Sequence, residues 1–172
     1  CGVIGNGEYR ATLLDLLEKN GIATEGILLD ETRPTTVKTR FMATEQDHPS
    51  YQLLRLDRES RKPLGEDQIR WIIDYVDRII NSVDAVACSD YNKGMFLVND
   101  NKQVLGVANW LLYKTKGRIP IVVAPKPANA EHFSGSSLIV PNQQEARDIV
   151  KSYGVGDDID SVAIRVLKKL YC

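Results

Sequence analysis

Cysteine and histidine are scarce in this chain, with three Cys and two His in 172 residues. Cys1, Cys88 and Cys172 fall at no metal-ligand spacing and make no even disulfide framework, so neither a zinc module nor a disulfide-stapled scaffold organises it. His48 and His132 have no partner at ligand spacing and read as surface residues. Cys88 sits in the apolar run VDAVACSD, where a reduced core thiol is expected, and that fits a cytoplasmic protein. No apolar run approaches the roughly 20 residues of a membrane-spanning helix, and no charged-then-apolar leader opens the sequence. An excess of one charge is missing too. With 22 basic against 23 acidic residues the net charge is -1, which gives no electrostatic reason to expect nucleic acid or an anionic membrane as partner. Nothing resembles a Ser/His/Asp or Cys/His catalytic set. Gly5-Asn6-Gly7 and Gly154-Val155-Gly156 lack the further glycine of a dinucleotide fingerprint. There is no internal repeat and no low-complexity segment.

What is present is a globular composition, 43% hydrophobic and 26% charged, long enough for one domain with a sizeable core. The first residue is Cys rather than Met. A lipidated cysteine would be followed by a polar tether, whereas Val3-Ile4-Gly5 reads as the end of a strand, so truncation is the expectation. Leu13, Leu14, Leu16 and Leu17 predict a helix over Glu8 to Lys19, stopped by Asn20-Gly21. Gly26 to Asp30 is a predicted strand that Glu31-Thr32-Arg33-Pro34 breaks. Thr35 to Ala43 and Tyr51 to Asp57 follow, so 26–57 reads as a small antiparallel sheet. Beyond it, Ile69, Ile72, Ile73, Val76, Ile79 and Ile80 make one stripe of a helix over Glu66 to Ile80. Ala85 to Cys88, Ile119 to Val123 and Leu138 to Val140 read as buried strands. They alternate with helices over Asn99 to Lys116, Glu145 to Tyr153 and Ser161 to Tyr171, with a helical turn at Ala130 to Phe133 and a loop at 154–160. That alternation predicts an α/β body with a mainly parallel sheet.

Candidate chemistry gathers at predicted strand ends, where open α/β sheets bind ligands. Lys126 follows one buried run; Asn142 and Glu145 follow another, so the three are candidates for one site. Asn142 and Glu145 also satisfy a simple helix cap, with Asn at the cap and Glu at the third helical position. Asp90 and Lys93 stand in the loop after Ala85 to Cys88, where a carboxylate can orient a sugar hydroxyl and an ammonium can meet a phosphate. Asp90 could equally bond backbone N–H groups of its own turn. In the antiparallel segment, period-2 alternation puts Lys38 and Arg40 on one face and Arg55 with Asp57 on one face of its partner strand. If the apolar sets share the other side, these cations converge on a phosphate site, or make an ordinary solvated face.

These segments resemble the ribokinase-like (PfkB) carbohydrate kinases, and within them the heptose 7-phosphate kinase domain of ADP-heptose biosynthesis. The stretches are Arg33 to Arg40 (RPTTVKTR), Leu54 to Glu59 (LRLDRE), Ser89 to Gly94 (SDYNKG), Pro125-Lys126-Pro127, and Pro141 to Glu145 (PNQQE), in family order. The resemblance implies a ribokinase-like α/β fold in which 1–172 is a partial kinase domain, with 26–57 as a β lid and 66–172 as part of the α/β body. It implies transfer of the ATP γ-phosphoryl group to the C1 hydroxyl of a heptose 7-phosphate, assisted by Mg²⁺. Lys126, Asn142 and Glu145 would bind the nucleotide, with Asn142 and Glu145 meeting Mg²⁺ through water. Lys38, Arg40, Arg55, Asp57, Asp90 and Lys93 would bind the sugar phosphate, and the lid would serve a homodimer. The family carries Asp before Pro-Lys where this chain has Ala124, and its catalytic base lies in a Gly-Ala-Gly-Asp segment expected beyond Cys172, so the piece alone is expected to be inactive. A kinase of another sugar and a degenerate, non-catalytic binding module are the alternatives.

Overall fold

The structure, a computed structural model, describes residues 1–44, 49–97 and 106–151. The expected start of a helix at Asn99, the loop at 154–160, the helix Ser161 to Tyr171, His48 and Cys172 lie outside the described residues. The chain divides into two compact units, Cys1–Arg61 and Lys62–Cys172.

In the first unit, strand β1 (Gly2–Asn6) leads into helix α1 (Tyr9–Lys19) and then into β2 (Ile27–Pro34), which pairs parallel with β1. The helix ends where Asn20-Gly21 predicts: Gly21 takes a left-handed φ of 69°, and the N–H groups of Gly21 and Ile22 donate to Glu18 and Leu17 carbonyls at 2.9 Å. Strands β3 (Val37–Ala43) and β4 (Tyr51–Arg58) form a separate antiparallel pair. The expectation of one antiparallel layer over 26–57 therefore holds only for its second part. The short run Ile27-Leu28-Leu29 fits either kind of pairing by composition, and α1, lying between β1 and β2, provides the crossover of a βαβ unit. Nor does Glu31-Thr32-Arg33 break β2, which runs on to Pro34 through an irregular register that jumps from Gly5↔Asp30 to Asn6↔Pro34. A Cβ on Gly5 would lie 2.1 Å from the Arg33 carbonyl oxygen, so only glycine permits this approach, and Thr35 Oγ1 donates to the Gly5 carbonyl at 2.8 Å.

The second unit alternates as expected: α2 (Glu66–Ile79), a 3₁₀ turn Ile80–Ser82, β5 (Val86–Ser89), α3 (Val107–Thr115), β6 (Ile121–Ala124), a 3₁₀ helix Pro127–Phe133, β7 (Leu138–Ile139) and α4 (Gln143–Lys151). The sheet is ordered β5-β6-β7 and parallel throughout. Helix α2 buries Ile69, Ile72 and Val76, the heart of the stripe read from the sequence. Helix α3 buries Val107, Ala108, Trp110 and Leu111, the sheet buries Cys88, Ile121 and Val123, and Phe96 meets Phe133 edge-on at 5.1 Å. Parallel pairing fixes what matters for function, because β5, β6 and β7 all end on the same side of the sheet.

Candidate functional site

At those strand ends three loops meet. Beyond β6, the Lys126 ammonium forms a short, charged hydrogen bond to Glu145 Oε1 and lies 5.9 Å from the centre of the Tyr91 ring. Glu145 belongs to the first turn of α4. Its other oxygen accepts the Asn142 N–H at 2.9 Å, while Asn142 Oδ1 accepts the Glu145 N–H at 2.8 Å. The reciprocal capping box read from the sequence is thus present, and it also presents Glu145 to Lys126. The bond from Lys126 holds the Glu145 carboxyl below the usual range against the opposing effect of burial; the same bond raises Lys126.

Asp90, the residue after β5, continues the ladder by donating its N–H to the Ala124 carbonyl at 3.0 Å. Its carboxylate is buried and committed: Oδ1 accepts the Asn92 N–H at 2.7 Å, and Oδ2 accepts the Lys126 N–H at 3.0 Å and Asn129 Nδ2 at 2.9 Å. Asn92 in consequence adopts a left-handed φ of 53°, which the Asx turn allows. Lys93 lies half-buried in the same loop. The structure therefore brings Lys126, Asn142, Glu145 and Asp90 together. It adds Asn129 and Tyr91, which sequence reasoning missed; the one signal pointing to Asn129 was its place three residues after Lys126 in a turn opened by Pro127.

The cations of the first unit are arranged by the β3–β4 register, which sets Lys38 opposite Asp57 and Arg40 opposite Arg55. All four share one face, as the alternation predicts, while Phe41 opposite Leu54 occupies the other. Asp57 accepts Lys38 Nζ at 2.9 Å and takes both Nε and Nη2 of Arg55, at 2.9 and 3.0 Å. Glu59, not singled out from the sequence, lies 3.5 Å from Lys38. The bond from Lys38, joined by those from Arg55, holds Asp57 below the ordinary carboxylate range. Arg40 faces Arg55 directly, and the Asp57 carboxylate bonded to Arg55 offsets their repulsion.

A lysine at a strand end beside a capped helix start, a solvent-accessible aromatic ring and one adjacent carboxylate make a set suited to a phosphate with its counter-ion. Among the described residues no three His, Cys, Asp or Glu side chains gather as a direct metal cage, and no helix is long and apolar enough to cross a membrane.

No family model matches the chain. A solved structure described as "Crystal Structure of Sa239" matches 98% of this chain and 50% of its own with a TM-score of 0.61 at 17% identity, a likeness of fold. The chain is 35% identical over 146 residues to the bifunctional protein HldE of Pelobacter propionicus, a match covering 85% of this chain and 28% of that protein. The HldE of Desulfatibacillum aliphaticivorans is 34% identical over the same length. With the bifunctional protein HldE of Helicobacter pylori the match runs over 171 residues at 32% identity, 99% of this chain and 35% of that protein, so this chain is homologous to a stretch spanning about a third of the curated relatives it matches.

Proposed function

We propose that the chain belongs to a ribokinase-like sugar kinase that transfers the ATP γ-phosphoryl group to the C1 hydroxyl of a heptose 7-phosphate, in the cytoplasm, on the way to ADP-heptose and lipopolysaccharide core precursors. The observation that carries this reading is the convergence of Lys126, Glu145 and Asn142 at the ends of adjacent parallel strands. Homology to proteins named HldE supports it.

In this reading Lys126 meets the phosphates of the nucleotide as a point charge, and Asn142 and Glu145 fix the start of α4 next to it. A single carboxylate already bonded to lysine suits a hydrated Mg²⁺ held through water, not direct coordination. ATP with Mg²⁺ supplies the transferred group; this chain's residues orient it, which is most of what phosphoryl transfer asks of a protein. Lys38, Arg40 and Arg55 bind the phosphate-bearing sugar, and Asp57 keeps Lys38 and Arg55 extended on one face. On the opposite face of that ribbon, Phe41, Leu54 and Leu56 are exposed, and a second copy offers the same apolar surface for a homodimer.

The test is turnover by the full-length gene product with Mg·ATP and a panel of sugars with and without a terminal phosphate. ADP release with a heptose 7-phosphate is expected; equal rates on unphosphorylated sugars would refute the substrate assignment. Ala124, exposed at the end of β6 where the resembled kinases carry Asp, favours a second reading, a ligand-binding module without transfer. Tight binding of both ligands with no ADP release would establish it.

A further inference from the structure

We propose that Asp90 and Asn129 form a positioning pair that holds Lys126 in place for the nucleotide, so that Asp90 acts through Lys126 and not by touching the sugar. Asp90 is 4% exposed and Asn129 1%. Two carboxylate oxygens serve three donors from three segments: the Asn92 N–H of Asp90's own loop, the Lys126 N–H beyond β6, and Asn129 Nδ2 of the 3₁₀ helix. The pair therefore ties the exit of β5 to the exit of β6. It fixes the root of the Lys126 side chain and, through the Asx turn, the neighbouring Tyr91 ring that lies against its ammonium.

The chemistry of position 90 is restrictive. An ionised carboxylate only accepts hydrogen bonds, so it faces donors on both sides without conflict, whereas an amide of the same shape must turn its own NH₂ towards one of them. The orientation of Asn129 follows from the same count. Its Oδ1 has no protein partner, and turning the amide would aim that oxygen at the Asp90 carboxylate. Lys126, by contrast, keeps its side chain for Glu145 and for a ligand.

This inference rests on the nucleotide reading of Lys126, and the test separates the two. In the full-length gene product, Asp90→Asn, which leaves a buried donor unmet, and Asn129→Ala, which takes one charged hydrogen bond from the Asp90 carboxylate, should each weaken ATP binding by about tenfold, with sugar-phosphate affinity unchanged. Asp90→Asn should add little on a Lys126→Ala background, because both act through one side chain. Loss of sugar-phosphate affinity ahead of ATP affinity, or full additivity with Lys126→Ala, would overturn the pair. If the full-length gene product binds no ATP, the nucleotide reading fails, and hydrogen exchange at the Lys126 amide still reads the pair, because that N–H is bonded to Asp90 Oδ2. Asp90→Asn should speed exchange at Lys126 by about tenfold, and an unmoved exchange rate would count against the proposal. Should Asp90→Asn not fold, Asn129→Ala carries the same comparisons.

Discussion

At Asp30 burial and bonding act against each other. The side chain is 1% exposed, which disfavours its charge, yet bonds from Thr32 Oγ1 at 2.6 Å, the Thr32 N–H at 2.9 Å and Arg33 Nε at 2.5 Å hold the carboxyl below its ordinary range. A depressed carboxyl contributes stability above the unfolded value and loses it as pH falls through the folded one. Asp30→Ala should therefore cost about 2 kcal/mol at neutral pH, since it removes a buried charged acceptor shared by the Thr32 N–H, the Thr32 hydroxyl and Arg33 Nε. Urea unfolding should show part of that difference disappearing on acidification below the ordinary carboxylate range; a pH-independent difference would contradict the assignment. Cys88 shows burial acting alone, pushing its thiol up to about 11. In a Cys1→Ser/Cys172→Ser background it should react with a disulfide reagent at pH 8 at least roughly a hundredfold more slowly than an exposed thiol, in proportion to its thiolate fraction. Fast labelling without denaturant would place Cys88 outside the core.

Helix α4 shows one element with two roles, because its capping box also holds Glu145 against Lys126. Asn142→Ala should cost about 1 kcal/mol of stability, as loss of a cap does, measured by chemical denaturation. The β3–β4 ribbon has a similar duality, with cations on one face and Leu54 and Leu56, 51% and 60% exposed, on the other. A two-stranded ribbon is marginal by itself. On the dimer reading, Leu54→Lys with Leu56→Lys should yield a monomer in sedimentation experiments, and an unchanged mass would refute it. Helix α2 and the ribbon were legible in the sequence because period decides them: the 3.6 repeat of Ile69, Ile72 and Val76 and the alternation of Lys38 and Arg40 fix which side chains share a face. The pairing of β2 was not legible, since a three-residue apolar run carries no sign of strand direction. Asn129 was hidden for another reason: its partner is 39 positions away, across a crossover.

For the molecule as a whole, motif order carried more than any motif. The Asn142 to Glu145 segment alone is a helix cap, and Lys38 to Arg40 alone is a polar strand face. Together with the Asp90 loop and Lys126 they come in the order of the resembled kinases, and separately the chain is similar along 99% of its length to the HldE of Helicobacter pylori. The proposed function assigns the two ligands to different units, with sugar-phosphate cations in Cys1–Arg61 and nucleotide residues in Lys62–Cys172. That division makes a prediction no single residue could. In the full-length gene product, Arg40→Ala should weaken heptose 7-phosphate binding by about tenfold or more, the worth of a charged hydrogen bond to phosphate, and leave ATP affinity unchanged. Lys126→Ala should do the reverse. Calorimetric titration of each variant with each ligand checks both halves. Arg40 is exposed on the ribbon, in a different compact unit from the nucleotide residues, so equal loss of both affinities at Arg40→Ala would refute the division of ligands between the units.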